Sequence, residues 1–196
     1  MIMPDIPIEQ HPFAPFLPTN ATVLLLGSFP PQPKRWCMDF YYPNWLNDFW
    51  RICGLVFFGD RDHFACLPEK RFNREQVVAF CLEKGLALFD TARAIRRLKD
   101  NASDKFLEVV EPTDIPALLE QIPACRAIVT TGQKATDTLV ESYGCEEPGV
   151  GQRKDTVIGE RHLAFYRMPS TSRAYPLSLE KKAAVYRHLF SDMGIL

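Results

Sequence analysis

Val23-Leu24-Leu25-Leu26-Gly27-Ser28-Phe29-Pro30-Pro31 is the stretch whose reading decides the fold. A short, continuous apolar run that stops at a glycine fits a strand buried on both faces of a parallel sheet. In such sheets ligands bind beyond the carboxyl ends of the strands. The Gly27-Ser28-Phe29-Pro30-Pro31 turn is therefore expected at a binding edge. Downstream, Phe40-Tyr41-Tyr42-Pro43-Asn44-Trp45-Leu46-Asn47-Asp48-Phe49-Trp50 supplies flat faces for stacking and one amide, Asn47, at an expected helix start.

Three more apolar segments recur, at Leu86–Phe89, Ala127–Thr130 and Leu163–Met168. Helical patterns lie between and after them, at Asn47–Leu55, Arg74–Lys84, Asp114–Gln121, Gln133–Tyr143 and Ser178–Met193. Gly85 and Gly144 stand where C-caps belong. Strands alternating with helices imply an α/β fold with a parallel sheet covered on both faces. The piece Glu146–Glu160 reads as a loop or hairpin. The layout gathers four loops at one edge: Gly27–Trp45, Asp90–Arg97, Thr130–Lys134 and Pro169–Tyr175.

The 196 residues, 46% of them hydrophobic, suffice for one core, so residues 1–196 read as one domain. Residues 1–20 read as an irregular, proline-rich lead-in without signal-peptide order. No apolar run reaches membrane-spanning length, so no membrane partner is expected and the chain reads as cytoplasmic. The six cysteines are scattered without a C-x-x-C pair and read as reduced, partly buried thiols rather than a metal site. A net charge of −1 leaves any phosphate grip to a local patch. The basic residues Arg93, Arg96, Arg97 and Lys99 form one such cluster, here read as lying on a helix.

Several familiar chemistries lack their motifs. Gly27-Ser28-Phe29-Pro30 is not G-x-G-x-x-G, no Walker A sequence occurs, and Ser28 is not in a G-x-S-x-G elbow. None of His11, His63, His162 and His188 has metal-ligand spacing on a helix, and each reads as a surface or packing residue.

Five blocks together resemble a known family: Gly27-Ser28-Phe29-Pro30, Tyr41 to Trp50, Gly85 to Asp90, Gly132 to Ala135, and Met168 to Ser172. In that order they resemble the uracil-DNA glycosylase superfamily, and within it the hypoxanthine or mismatch-specific DNA glycosylase branch. The resemblance implies a three-layer sandwich with a central four-stranded parallel sheet flanked by helices. It implies a metal-free, cofactor-free, monofunctional enzyme of base-excision repair that hydrolyses the N-glycosidic bond of uracil or hypoxanthine in DNA. A monomer is expected for this mode of action.

Such chemistry needs a flipped-out base, a positioned water, and donors for the charge developing on the leaving base. By resemblance Asn47 orients the water; its other reading is a helix N-cap. Backbone N–H groups of Gly27, Ser28 and Phe29 could bond base oxygens, and Tyr42 could stack on the base. Asp90 matches a position that reads the base edge in the uracil branch, or else caps the segment Thr91–Leu98. A carboxylate there accepts a ring N–H and cannot donate. Ser170, Thr171 and Ser172 offer hydroxyls to phosphates, Arg173 or Tyr175 could fill the space left by the base, and Lys134 follows Gly132 at a helix start.

Where the best-known uracil branch has an aspartate and a histidine, this chain has Phe29 and Met168. Where the closer branch continues with Pro-Ala-Asn, this chain has Arg173-Ala174-Tyr175. Two alternatives therefore stand beside the glycosylase: a non-enzymatic nucleic-acid-binding protein of the same fold, and an enzyme acting on free nucleosides or nucleotides.

Overall fold

The computed structural model describes residues 6–196. Its strands are β1 (Ile8–Gln10), β2 (Val23–Gly27), β3 (Ala65–Cys66), β4 (Arg71–Phe72), β5 (Leu86–Asp90), β6 (Ala92–Arg97), β7 (Leu107–Pro112), β8 (Ala127–Thr131), β9 (Gln152–Ile158) and β10 (Arg161–Met168). Its helices are α1 (Phe49–Phe58), α2 (Arg74–Lys84), α3 (Ile115–Gln121), α4 (Gln133–Tyr143) and α5 (Leu179–Asp192).

The apolar runs form the strands expected of them, and they pair in the order β5-β2-β8-β10 with every neighbour parallel. Every residue of β2, β5 and β8 is buried, which is why these strands read as unbroken apolar runs. The central sheet has five strands and not four, because β9 pairs antiparallel on the outer side of β10. Most of β9 is exposed or half-buried, so it carries no apolar run; its charged Arg153, Lys154 and Asp155 suit an edge strand.

A second, antiparallel sheet has the order β1-β6-β7, and it corrects two expectations. The segment of Arg93, Arg96 and Arg97 is a strand and not a helix. The lead-in is not irregular throughout: Ile8–Gln10 pairs with Arg96, Ile95 and Ala94, while residues 1–5 of the lead-in lie outside the described residues. Arg97 is buried and forks onto Glu9 at 3.0 Å for each of two bonds, and donates to the Pro30 carbonyl at 3.1 Å. That one side chain ties the first strand to the turn after β2. Phe29, Ala92, Ile95 and Leu107 form a small core of their own beneath this sheet.

Helix starts follow their caps: Asn73 accepts the Gln76 N–H, Asp114 that of Ala117, and Ser178 that of Lys181. α1 packs on α5, α2 on β5 and α4 on β8. Trp50 of α1 is fully buried, its indole N–H donating to the Tyr41 carbonyl at 3.0 Å. Among the described residues no helix is long and apolar enough to cross a membrane.

Candidate active site

The carboxyl ends of β5, β2 and β8 bring Asp90, Gly27 and Thr131 side by side. Gly27 pairs with Asp90 across the β2–β5 ladder. A Cβ on residue 27 would stand 2.5 Å from Asp90 Oδ1 and 3.8 Å from the Tyr42 hydroxyl. Glycine is thus the residue that lets a carboxylate, a phenol and the turn meet. Beyond it, the N–H groups of Ser28 and Phe29 have no hydrogen-bond acceptor among the described residues, and Pro30 and Pro31 carry none. Their carbonyl side is used: the Thr91 and Ala92 N–H groups donate to Gly27 and Ser28 at 2.8 and 3.3 Å.

The Phe29 side chain is buried in the small second core, so only its backbone faces the turn. Tyr42 has φ +51°, donates or accepts with Thr131 Oγ1 at 2.9 Å, and stacks on Phe49 at 4.0 Å and 20°. One ring face is therefore covered by the protein. Burial drives its phenol far above the usual tyrosine value, so it stays a neutral hydroxyl.

Asp90 is buried, and His11 Nε2 lies 2.7 Å from its Oδ2. It caps no helix, since β6 follows at once. The Asp104 carboxyl, half-buried after the β6 strand, approaches the same turn. Burial pushes it above the ordinary aspartate value; a hydrogen bond with the Ser28 side chain pulls it back, Asp90 raises it, and Arg97 and Lys134 lower it.

Asn47 precedes Asp48, the N-cap residue of α1, and its Oδ1 accepts the Phe49 N–H, the first of the helix, at 2.9 Å. It forms an isolated β-bridge with Ser172, and the Asp48 N–H donates to the Thr171 carbonyl at 2.8 Å. The Asp48 side chain turns away from Asn47 into a buried ionic cluster. Lys182 Nζ of α5 donates to Asp48 Oδ2 at 3.1 Å and to the Ser172 carbonyl at 2.8 Å, and Arg173 reaches Asp48 Oδ1 at 3.4 Å.

Of the residues expected to meet phosphate, Thr171 is buried and holds Asp48 through its carbonyl, so it does not present a hydroxyl face as Ser170 and Ser172 can. Ser172 and Arg173 are exposed, and Ser170 is half-buried. Gly132, at φ +116°, would place a Cβ 3.4 Å from Ser170, so this loop sits close over the start of α4, where Lys134 lies. The arginine cluster is largely spent on carboxylates: Arg97 on Glu9, Arg96 on Glu108 at 3.2 Å and Arg93 on Glu111 at 3.8 Å. Of two concavities of about 630 and 550 Å³, one opens beside β9 and Tyr143, the other between Phe13, Arg93 and α3, where His11 and Phe89 line it. Neither is lined by Gly27, Asn47 or Ser170.

Three residues of this edge escape a reading by motif: His11, Asp104 and Lys182. Lys182 carried a signal, because Leu179, Lys182, Ala183, Tyr186, Leu189 and Phe190 share the buried face of α5 at helical spacing. His11 sits just beyond β1 and Asp104 opens a single 3-10 turn (Asp104–Phe106), both too short for a period to betray them.

No protein-family model matches the chain. No curated protein matches it either. Among solved structures, the chain is similar to the solution NMR structure of a "putative Uracil DNA glycosylase" from Methanosarcina acetivorans, at 25% identity and a TM-score of 0.59. The match covers 93% of this chain and 98% of that one. The fold is therefore a mixed α/β fold like that of a uracil-DNA glycosylase, and it supports a DNA-glycosylase-like function.

Proposed function

We propose that this protein is a DNA glycosylase of base-excision repair that hydrolyses the N-glycosidic bond of a deaminated base, uracil or hypoxanthine. One observation carries the reading: at the carboxyl edge of a glycosylase-like sheet, the Ser28 and Phe29 N–H groups, without an acceptor among the described residues, adjoin the buried Asp90 carboxylate.

In this reading DNA presents a flipped nucleotide to the edge. Water attacks C1′ as the C1′–N bond breaks; the electron pair of that bond leaves with the base, and the proton lost by the water passes through solvent to the departed base anion. The Ser28 and Phe29 N–H groups donate to the oxygens on which that charge develops. An amide oxygen has two lone pairs, and the Phe49 N–H uses one of those on Asn47 Oδ1, which leaves the other to orient the water. Asp90 accepts a ring N–H, and Tyr42 stacks on the base with the ring face opposite Phe49. Ser170, Ser172, Arg173 and Lys134 hold the flanking phosphates. The reaction is monofunctional in this reading, because no lysine replaces Asn47 in the principal motif, and Lys182, which lies behind it, is fully buried and committed to Asp48 and Ser172. A Schiff base needs a free amine.

The test is release of base from oligonucleotides carrying uracil or hypoxanthine, with Asn47→Ala alongside and borohydride trapping as a control. Release by the wild type, loss in the folded variant and no trapped covalent complex are expected. No release from folded wild-type protein refutes the reading. In that case mononucleosides are the next substrates, since the arginines of β6 are spent on carboxylates and leave a modest grip on DNA.

A further inference from the structure

We infer that His11 is a positioning residue that sets base selectivity: it holds the Asp90 carboxylate so that its free oxygen accepts a ring N–H of the flipped base. The inference deepens the glycosylase reading and rests on its pocket.

The pair is enclosed, with side chains 2% and 10% exposed and 2.7 Å between Nε2 and Oδ2. The ring is fixed by Phe89 at 4.5 Å and by Phe29, edge-on, at 5.2 Å. At the other ring nitrogen, Nδ1, the Phe13 N–H stands at 3.1 Å and the Phe13 carbonyl at 3.0 Å. With Nδ1 accepting from that N–H, Nε2 carries the ring hydrogen and donates it to Asp90, so Oδ2 is engaged as an acceptor. Oδ1 has no hydrogen-bond partner among the described residues and faces the Gly27 backbone.

The chemistry of that single oxygen sorts bases into two classes. Uracil, hypoxanthine and xanthine carry an N–H in the middle of the pairing edge. Cytosine and adenine carry a lone pair there. An ionised carboxylate binds the first and repels the second, whereas a protonated carboxyl would donate to the lone pair of the second. By donating to Oδ2, His11 leaves Oδ1 to accept, which selects bases with a central ring N–H (uracil, hypoxanthine and xanthine, and equally thymine and guanine) against cytosine and adenine. The N-terminal segment is thus part of the specificity site.

The experiment compares wild type, His11→Phe and His11→Gln. The first variant keeps a ring without donors; the second restores a donor near Nε2. Circular dichroism establishes folding. Affinity is read for single-stranded oligonucleotides carrying 2′-fluoro-2′-deoxyuridine or the matching cytidine, which resist cleavage. A charge-assisted hydrogen bond predicts a wild-type preference for uracil of about 10- to 100-fold. His11→Phe should erase most of it, and His11→Gln should recover most of it. An unchanged preference in His11→Phe overturns the inference, as does an equal loss in both variants. Because binding is read without turnover, failure of the glycosylase reading registers separately, as absence of base release from ordinary uracil DNA.

Discussion

Substituting Lys182 by Met removes one half of the Lys182–Asp48 pair, and the structure sets the size of the effect. The side chains are 1% and 7% exposed, so solvent screening is slight. Removing one partner of a buried pair leaves an uncompensated charge, at a cost of about 3–5 kcal/mol. Arg173 remains 3.4 Å from Asp48, but its side chain is 46% exposed, so it offsets only part of that cost. The bond from Lys182 to the Ser172 carbonyl is worth about 1 kcal/mol more. A net loss of about 3–4 kcal/mol follows, or a fall in Tm of about 6–16 °C for a chain of this size. Adding Asp48→Asn removes the stranded charge, so the double variant should be more stable than Lys182→Met alone by at least about 1 kcal/mol. Urea unfolding of wild type, both single variants and the double variant measures this. A loss below about 1 kcal/mol for Lys182→Met, or strictly additive singles, would refute the reasoning. The same cluster holds the bridge between Asn47 and Ser172. Base release by folded Lys182→Met should therefore lose kcat with little change in KM.

Gly27→Ala would set a methyl 2.5 Å from Asp90 Oδ1; overpacking of about 1–3 kcal/mol and loss of base release are expected, read by Tm and by glycosylase assay. Asp104 has a folded-state value raised above 3.8, so the folded chain holds that proton more tightly than the unfolded one. Its contribution to stability must fall as pH rises from the ordinary aspartate value through the folded one. Asp104→Asn should remove that slope and be the more stable protein above the window, checked by denaturant unfolding between about pH 4 and pH 7. Lys134 and Arg173 contacting one phosphate each would give a salt slope of about −1.8 for duplex DNA, and Arg173→Ala should reduce it by about 0.9. A slope unchanged by that variant would remove Arg173 from the DNA contact.

The difference between what the sequence discloses and what it hides has a physical cause. Val23–Leu26, Leu86–Phe89 and Ala127–Thr130 announce themselves because both of their faces are buried, and glycines with positive φ, such as Gly85 and Gly144, mark helix ends in the chain itself. β9 is an edge strand whose side chains mostly meet water, so its reason for being extended lies in the Leu163–Met168 neighbour and not in its own pattern. The run Arg93–Arg97 misleads in the opposite way. Its charges resemble a solvated helix face, but Ala92, Ala94 and Ile95 are buried, with the register shifting between the last two, and acidic partners from β1 and β7 neutralise the arginines. The site divides along the same line. Gly27, Asn47 and Asp90 stand in local blocks, whereas His11 reaches Asp90 across 79 positions and Lys182 reaches Asp48 across 134. Such partners are chosen by burial: a carboxylate enclosed at the end of β5 or at the start of α1 requires a donor, and the fold supplies it from whichever segment passes nearest. A motif can therefore name the groups that face the substrate, while the groups that fix their charge and direction follow only from the packed chain.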